Sequence, residues 1–294
     1  MSHKKSILIS GITGLLGGAI LCFKDQHELF FLQRKDFDFS KNQKDLCQII
    51  KKKFDIILHC AAMTDVELCE KEKNLASQIN IDGTLKMLNF AEKNNAKFIF
   101  LSSTGNYGSY KSDPYVENDL LLPTTWHHKT KTLAEKLIMK NYENYLILRT
   151  GWLFGSFNSK NDYVLNRLIE LNNDQKKFVG NSEQFGCPTF TFDLARQIFH
   201  LIDEDIKGIY NCVNNGDIVN RYDFNKEILS YVSNKNYQLI PVDNSYFERK
   251  AKVSMNESAI NYNLKKIKFD FMPNWKNSLK KYFNNNNKLK HLSK

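Results

Sequence analysis

Three glycines spaced G-x-x-G-x-x-G stand near the start of the chain, in the run Ser10-Gly11-Ile12-Thr13-Gly14-Leu15-Leu16-Gly17-Gly18. Glycines at this spacing, between an apolar strand-like run and a helix-like run, suit the binding of a dinucleotide's phosphates. Gly11 permits a tight turn, Gly14 lets the backbone approach a pyrophosphate, and Gly17 lets helix and strand pack closely. The helix N-terminus beyond them offers N–H groups and a partial positive charge to the anion. Thr13, Leu15 and Leu16 complete the loop, and with the three glycines they are the candidate cofactor contacts. A glycine-rich turn without a ligand is the plain alternative, and the strand–turn–helix context weighs against it.

A second informative stretch reads Leu32-Gln33-Arg34-Lys35-Asp36-Phe37-Asp38. An acidic residue at the end of the second strand favours NAD, whereas a nearby arginine accommodates the extra phosphate of NADP. Here Arg34 and Lys35 come first, Asp38 follows, and the strand end itself carries no carboxylate. The stretch therefore favours NADP(H), with NAD(H) left open. The competing reading of Arg34 is a solvated surface residue.

The elements that must position these residues alternate along the first half. Strands are expected at Ser6–Ser10, Glu28–Gln33, Asp55–His59, Lys97–Ser102 and Tyr145–Arg149. Helices are expected at Leu15–Phe23, Leu46–Lys53, Asn74–Asn94 and Lys131–Lys140. Strand and helix in repetition mean a parallel sheet with helices on both faces, and the continuously apolar strands imply burial on both sides. The second half adds helical patterns at Tyr163–Asn172, Thr191–Ile202, Arg221–Val232 and Asn274–Phe283, and a strand at Gly208–Val213. The expected fold is α/β, a Rossmann-type doubly wound sheet over residues 1–155 and 187–216. A smaller substrate-binding lobe is expected over 156–186 and 217–284, with a disordered tail at 285–294.

Several further motifs occur in a fixed order. They are His59-Cys60-Ala61-Ala62-Met63-Thr64-Asp65-Val66 and Asn80-Ile81-Asp82-Gly83-Thr84, then Leu101-Ser102-Ser103-Thr104 with Tyr107. Pro114-Tyr115-Val116-Glu117, Arg149-Thr150-Gly151-Trp152-Leu153-Phe154-Gly155 and Glu183-Gln184-Phe185-Gly186-Cys187-Pro188-Thr189 follow, then Asp193-Leu194-Ala195 and Gly208-Ile209-Tyr210. As an ordered set they resemble the extended short-chain dehydrogenases that act on nucleotide sugars, and above all the dTDP-4-dehydrorhamnose reductase family. The resemblance runs from Ile7 to about Tyr282. It implies hydride transfer between a nicotinamide and a sugar carbonyl, in surface polysaccharide synthesis. It also implies that Cys60, Ala61 and Ala62 lie along the cofactor. Thr64, Asn106, Tyr107, Trp152 and Gln184 would face the substrate, although Trp152 and Phe154 would serve equally as core aromatics.

In that family a Tyr-x-x-x-Lys pair works with a Ser or Thr hydroxyl. The resemblance places Thr104 at the hydroxyl position and Lys131 at the lysine, where it would also hold the nicotinamide ribose. His127 occupies the tyrosine position, a departure from the pattern. A spacing of four puts His127 and Lys131 on one helix face. Three roles are open for His127: an acid/base, a hydrogen-bonder while Tyr107, Tyr115 or water moves the proton, or a silent residue in a binding protein. His128 reads as a helix-surface residue. The segment Lys252–Ala259 stands where the family has an Arg-Pro substrate motif, and neither residue is matched, which implies a changed substrate. The alternatives to a reductase are a non-catalytic NADP-binding regulatory subunit and a nucleotide-sugar epimerase or dehydratase.

Bulk properties exclude other classes. The 294 residues carry 42 Lys and Arg against 32 Asp and Glu, a formal charge of +10. No nucleic-acid motif accompanies the charge, so it reads as lysine-rich helix faces and tail, and no nucleic-acid partner is expected. No apolar run reaches membrane-spanning length, and the N-terminus lacks a signal-peptide pattern. Six cysteines without a C-x-x-C pair read as reduced thiols in a cytoplasmic protein. No Cys/His spacing suggests a metal, and no G-x-S-x-G elbow suggests a hydrolase. Nucleotide sugar is the expected partner. Reductases of this type are often dimers, so a homodimer is one assembly the resemblance allows.

Overall fold

The computed structural model describes residues 4–41, 43, 45–155, 162–172, 177–232 and 237–285. Six parallel strands form the central sheet: β1 (Ser6–Ser10), β2 (Glu28–Leu32), β3 (Ile56–His59), β4 (Lys97–Ser103), β5 (Tyr145–Thr150) and β6 (Gly208–Asn211). Their order across the sheet is β6-β5-β4-β3-β1-β2. All six strand expectations agree with the structure to within two residues at either end.

The strands are apolar at successive positions because both faces are covered. Ile7, Ile9, Ile56 and Leu58 point to one face, where they pack with Leu16, Ile20, Leu194 and Ile198. Leu8, Ile57, Phe98 and Phe100 point to the other, against Met87, Leu88, Phe90, Ala134 and Ile138. Burying each such side chain contributes about 1.5–3 kcal/mol, so the two layers of helices are held chiefly by these contacts. The helices concerned are α1 (Leu15–Ile20), α2 (Gly83–Asn94), α3 (Trp126–Asn141) and, after α4 (Tyr163–Asn172), α5 (Thr191–Asp203). A π-helical turn at Gln78–Asp82 leads directly into α2.

A third apolar cluster unites α4 with α6 (Arg221–Ser230) and α7 (Trp275–Asn285). It contains Val164, Leu168, Phe224, Ile228, Trp275 and Leu279, and it reaches back to Trp152 and Phe154 just after β5. These helices are thereby fastened to the carboxyl end of the sheet. Of the expected tail, Asn285 ends α7, and residues 286–294 lie outside the described residues. No helix among the described residues is long and apolar enough to cross a membrane.

Two helices differ from expectation. The helix expected at Leu46–Lys53 stops at Ile49. Helix α3 begins at Trp126, five residues before the expected Lys131. Thr125 caps it, its Oγ1 accepting from the His128 N–H at 3.3 Å, and Glu70 accepts from the Trp126 N–H at 2.5 Å. These two side chains satisfy N–H groups that helix propensity alone leaves unpaid in a Trp-His-His run.

Candidate active site

The strand order reverses between β1 and β3, so the crevice beyond their carboxyl ends is the topological switch point. The glycine loop lies there. Gly11 has φ +81°, and a Cβ on it would fall 2.6 Å from the Ala61 nitrogen and 2.7 Å from the Cys60 carbonyl carbon. A Cβ on Gly17 would fall 1.7 Å from the Ile12 carbonyl oxygen. Only residues without a side chain allow this loop to fold so tightly against β3. Gly14 caps α1 without any side-chain acceptor; the Gly17 N–H turns back to the Gly14 carbonyl, and the Leu15 and Leu16 N–H groups are left for an anion. Thr13 and Gly14 are exposed, while the Leu16 side chain is buried in the core and offers only its backbone. The loop fits a dinucleotide's pyrophosphate on steric and electrostatic grounds.

Beyond β2, Arg34 is 78% exposed and forms an (i, i+4) pair with Asp38 at 3.2 Å. Asp38 also accepts from the Ser40 hydroxyl and N–H, and these bonds pull its carboxyl down to about 2. Lys35 is exposed next to Arg34. Arg34, though paired with Asp38, and Lys35 both present exposed cationic side chains beyond β2.

Lys131 lies on the first turns of α3, and only 4% of it is exposed. Its Nζ sits 3.9 Å above the Phe100 ring, and among the described residues no hydrogen bond or ion pair holds it. Burial, partly offset by the Cys60 thiol and Glu135, pulls the ammonium down to about 7. Cys60, pushed up to about 12 by burial, packs in turn against Gly11, which links the lysine to the glycine loop. Ala61 and Ala62 continue the partly exposed edge after β3, and Thr64 is exposed.

His127 is buried one turn before Lys131. Its Nδ1 lies 2.9 Å from the Met63 carbonyl oxygen, and only an Nδ1–H donates to a carbonyl. Burial, with His128 and Lys131 nearby, holds its pKa well below the ordinary histidine value. The imidazole is therefore neutral, and its Nε2 carries a lone pair. Asn80, on the π turn, fixes the same carbonyl. Its Nδ2 donates to Met63 O at 3.1 Å and to Thr130 Oγ1 at 3.0 Å, and its Oδ1 accepts from the Met63 N–H at 2.7 Å. Sequence reading saw Asn80 only within a motif, and its bridging role appears only in three dimensions.

His128 is buried rather than on the helix surface. Its ring fills the space that a side chain on Gly105 would take, and its Nδ1 is 3.0 Å from Thr125 Oγ1.

At the end of β4, Thr104 is 1% exposed, and among the described residues its Oγ1 has no hydrogen-bond partner. It faces Gly151, where a Cβ would sit 2.4 Å from that oxygen. Ser103, one residue earlier and partly exposed, accepts from the Gly105 N–H at 3.2 Å. Sequence reading passed over Ser103, although the Ser-Ser-Thr run was the available signal.

Two expected substrate contacts lie in buried, hydrogen-bonded surroundings. Asn106 and Tyr107 are fully buried. The Asn106 amide donates to Ser102 Oγ and to Glu135, and the Tyr107 hydroxyl donates to Asn211 at 2.7 Å. Arg149 joins them, with a two-pronged contact to Glu135 and a 3.0 Å bond to the Tyr107 hydroxyl. This network ties α3 to β4, β5 and β6. Tyr115 is also fully buried and donates to the Gly108 carbonyl. Neither tyrosine is placed to hand a proton to a bound ligand.

Trp152 and Gln184 are mostly buried. The Trp152 Nε1–H donates to Glu257 at 2.9 Å, and the Gln184 amide reaches the Ser254 carbonyl at 3.4 Å. A separate open cleft of about 560 Å³ is lined by Ser109, Tyr110, Lys111, Phe185, Ile218 and Met255. Thr104, His127 and Lys131 are not among its lining residues.

A parallel sheet with this reversal and a glycine loop at its mouth defines a Rossmann-type protein of the short-chain dehydrogenase kind. The chain belongs to the RmlD substrate binding domain family, which it matches over residues 5–288. It is 29% identical over 225 residues to the spore coat polysaccharide biosynthesis protein SpsK of Bacillus subtilis, spanning 76% of this chain and 78% of that protein. Among solved structures it resembles a dTDP-4-dehydrorhamnose reductase of Clostridium acetobutylicum, with TM-score 0.88 and 30% identity over 95% of this chain and 98% of the other. The dTDP-4-dehydrorhamnose reductase of Bacillus anthracis, solved in complex with NADP, matches with TM-score 0.88 and 26% identity over 96% and 99% of the two chains.

Proposed function

We propose that this chain is an NADP-dependent reductase of a 4-keto-6-deoxy nucleotide sugar, working in the cytoplasm in surface polysaccharide synthesis. The observation that carries the reading is the side-chain-free cradle of Gly11 and Gly17 at an uncapped helix end, linked through Cys60 to the unpaired Lys131. The NADP-bound relative and the exposed Arg34 support the choice of coenzyme.

The coenzyme supplies a hydride to the sugar carbonyl. Gly11 to Gly17 hold its pyrophosphate, Arg34 and Lys35 meet the ribose phosphate, and Lys131 donates to the nicotinamide ribose. The hydroxyls of Ser103 and Thr104 offer donors to the developing oxyanion at the end of β4. His127, with its proton on Nδ1, presents Nε2 as an acceptor and orients the substrate rather than acidifying it. The proton reaches the product oxygen from Lys131, whose lowered pKa lets it release one near neutrality, or from water. A homodimer is part of this reading, and light scattering tests it. Six free cysteines accord with the cytoplasm.

The neutral imidazole favours one second reading, an NADP-binding module without turnover. An assay of NADPH oxidation with a panel of 4-keto-6-deoxy nucleotide sugars separates them. The reductase reading expects stoichiometric NADPH loss with at least one sugar. Tight NADPH binding with no loss supports the module, and conversion without net loss supports an epimerase or dehydratase.

A further inference from the structure

Arg221 opens helix α6, where Asn220 caps the helix by accepting from the Asp223 N–H at 2.7 Å. The Arg221 guanidinium carbon lies 3.4 Å above the Trp152 ring centroid and 4.9 Å from that of Tyr163. Among the described residues no carboxylate lies within ion-pair distance of it, and its side chain makes no hydrogen bond. A largely buried guanidinium without an anion is uncommon, because desolvating a charge is costly unless it is paired.

Its neighbours do not supply the missing charge. Glu257 stands near, but its Oε2 accepts from the Trp152 Nε1–H, and among the described residues no ion pair joins it to Arg221; burial raises its pKa, and Arg221 opposes that rise. Arg249 and Arg167 add positive charge to the surroundings. Arg167 is paired with Glu170, and Arg249 lies over the Phe247 ring. Counting Glu257 and Glu170 against Arg221, Arg167 and Arg249, the corner holds more cationic than anionic groups.

Its position gives that cation a use. Trp152 follows Gly151, which abuts the Thr104 hydroxyl. Trp152 has φ +47°, a backbone conformation costing a non-glycine residue about 1–3 kcal/mol. Gly186 makes room for its indole, since a Cβ there would sit 2.3 Å from the ring. The strained residue thus holds an aromatic platform beside the end of β4, with Arg221 spread over it. A stacked guanidinium keeps its N–H edge free for a planar or bidentate anion.

We propose that Arg221, stacked on Trp152, is the seat for the diphosphate of the nucleotide sugar. The inference rests on the nucleotide-sugar reading above. It places the substrate's charged bridge on the lobe and its sugar ring toward Ser103, Thr104 and Lys131. Segment 252–259 contributes Glu257, which holds the Trp152 indole in place, and α6 contributes the cation.

Calorimetry on the NADP⁺-loaded chain with dTDP and UDP tests the assignment. Wild type is expected to bind at least one of them, R221M about 10- to 100-fold more weakly, and R221K in between. NADP⁺ affinity, measured on each variant, is expected to stay within about twofold of wild type because the coenzyme lies across the sheet. Unchanged nucleoside diphosphate affinity in R221M would overturn the assignment while leaving the reductase reading intact. Failure of the wild-type complex to bind either diphosphate would overturn both. Should R221M lose NADP⁺ as well, R221K decides: unchanged dTDP and UDP affinity there contradicts the proposal.

Discussion

His127 and Lys131 show how one altered side chain changes the chemistry available at an otherwise familiar pair. A hydrogen bond to the Met63 carbonyl and deep burial keep the imidazole neutral with its proton on Nδ1. A tyrosine in its place would carry a hydroxyl further from the helix, next to the same lysine. His127→Tyr is therefore expected to raise turnover of a 4-keto-6-deoxy nucleotide sugar by at least 10-fold, within the range general acids contribute. NADPH affinity, measured by fluorescence titration, is expected to remain unchanged. Behind this pair stands the buried Glu135–Arg149 contact. Arg149→Leu leaves Glu135 charged and uncompensated, and a loss of about 3–5 kcal/mol in urea-unfolding stability is expected. An unchanged unfolding midpoint would contradict the role given to this network. The spacing of His127 and Lys131 was readable from the sequence. The burial of Asn106 and Tyr107 was not, because their partners Glu135, Arg149 and Asn211 come from three separate elements.

At the scale of elements, the glycine loop and helix α3 do the positioning. A Cβ on Gly17 would meet the Ile12 carbonyl at 1.7 Å, and that backbone atom cannot yield without moving the loop. Gly17→Ala is expected to weaken NADPH binding by at least 10-fold in calorimetry, with the wild-type affinity as the contradicting result. The loop was legible because its glycines do their work locally, within one strand, one turn and one helix. The start of α3 was less so. Its first residues, Trp126-His127-His128, are poor helix formers, and the acceptors that satisfy them are Thr125 and the distant Glu70. The unpartnered Arg221 was likewise hidden, since a cation's missing anion is a fact about space rather than about neighbours in the chain.

For the whole molecule, three of the four buried histidines, His59, His127 and His128, set an acid limit, and His27 is lowered in the same direction by burial. His59 is pulled down to about 3 and His128 to about 4, both chiefly by burial, and His127 lies well below its ordinary value. In the unfolded chain each titrates near 6.5. Between these values the unfolded state binds more protons, so stability is lost as pH falls from 6.5 toward about 4. Each histidine contributes a slope of up to about 1.4 kcal/mol per pH unit. Urea unfolding at pH 7, 6 and 5 is expected to show a falling free energy, and a flat profile would contradict the neutral burial of all three. The doubly wound architecture was evident in the sequence because strands buried on both faces are apolar throughout. The third apolar cluster was less evident, since it joins residues just after β5 to α4, α6 and, more than a hundred positions later, α7.

The account turns on direct hydride delivery from coenzyme to sugar at the mouth of this sheet. The most direct test supplies NADPH deuterated at the transferring C4 position with dTDP-4-keto-6-deoxy sugar and weighs the product by mass spectrometry. One deuterium in the sugar, bonded to C4, is the predicted result. A reduced sugar without deuterium, or no reduced sugar although NADPH binds, would contradict it.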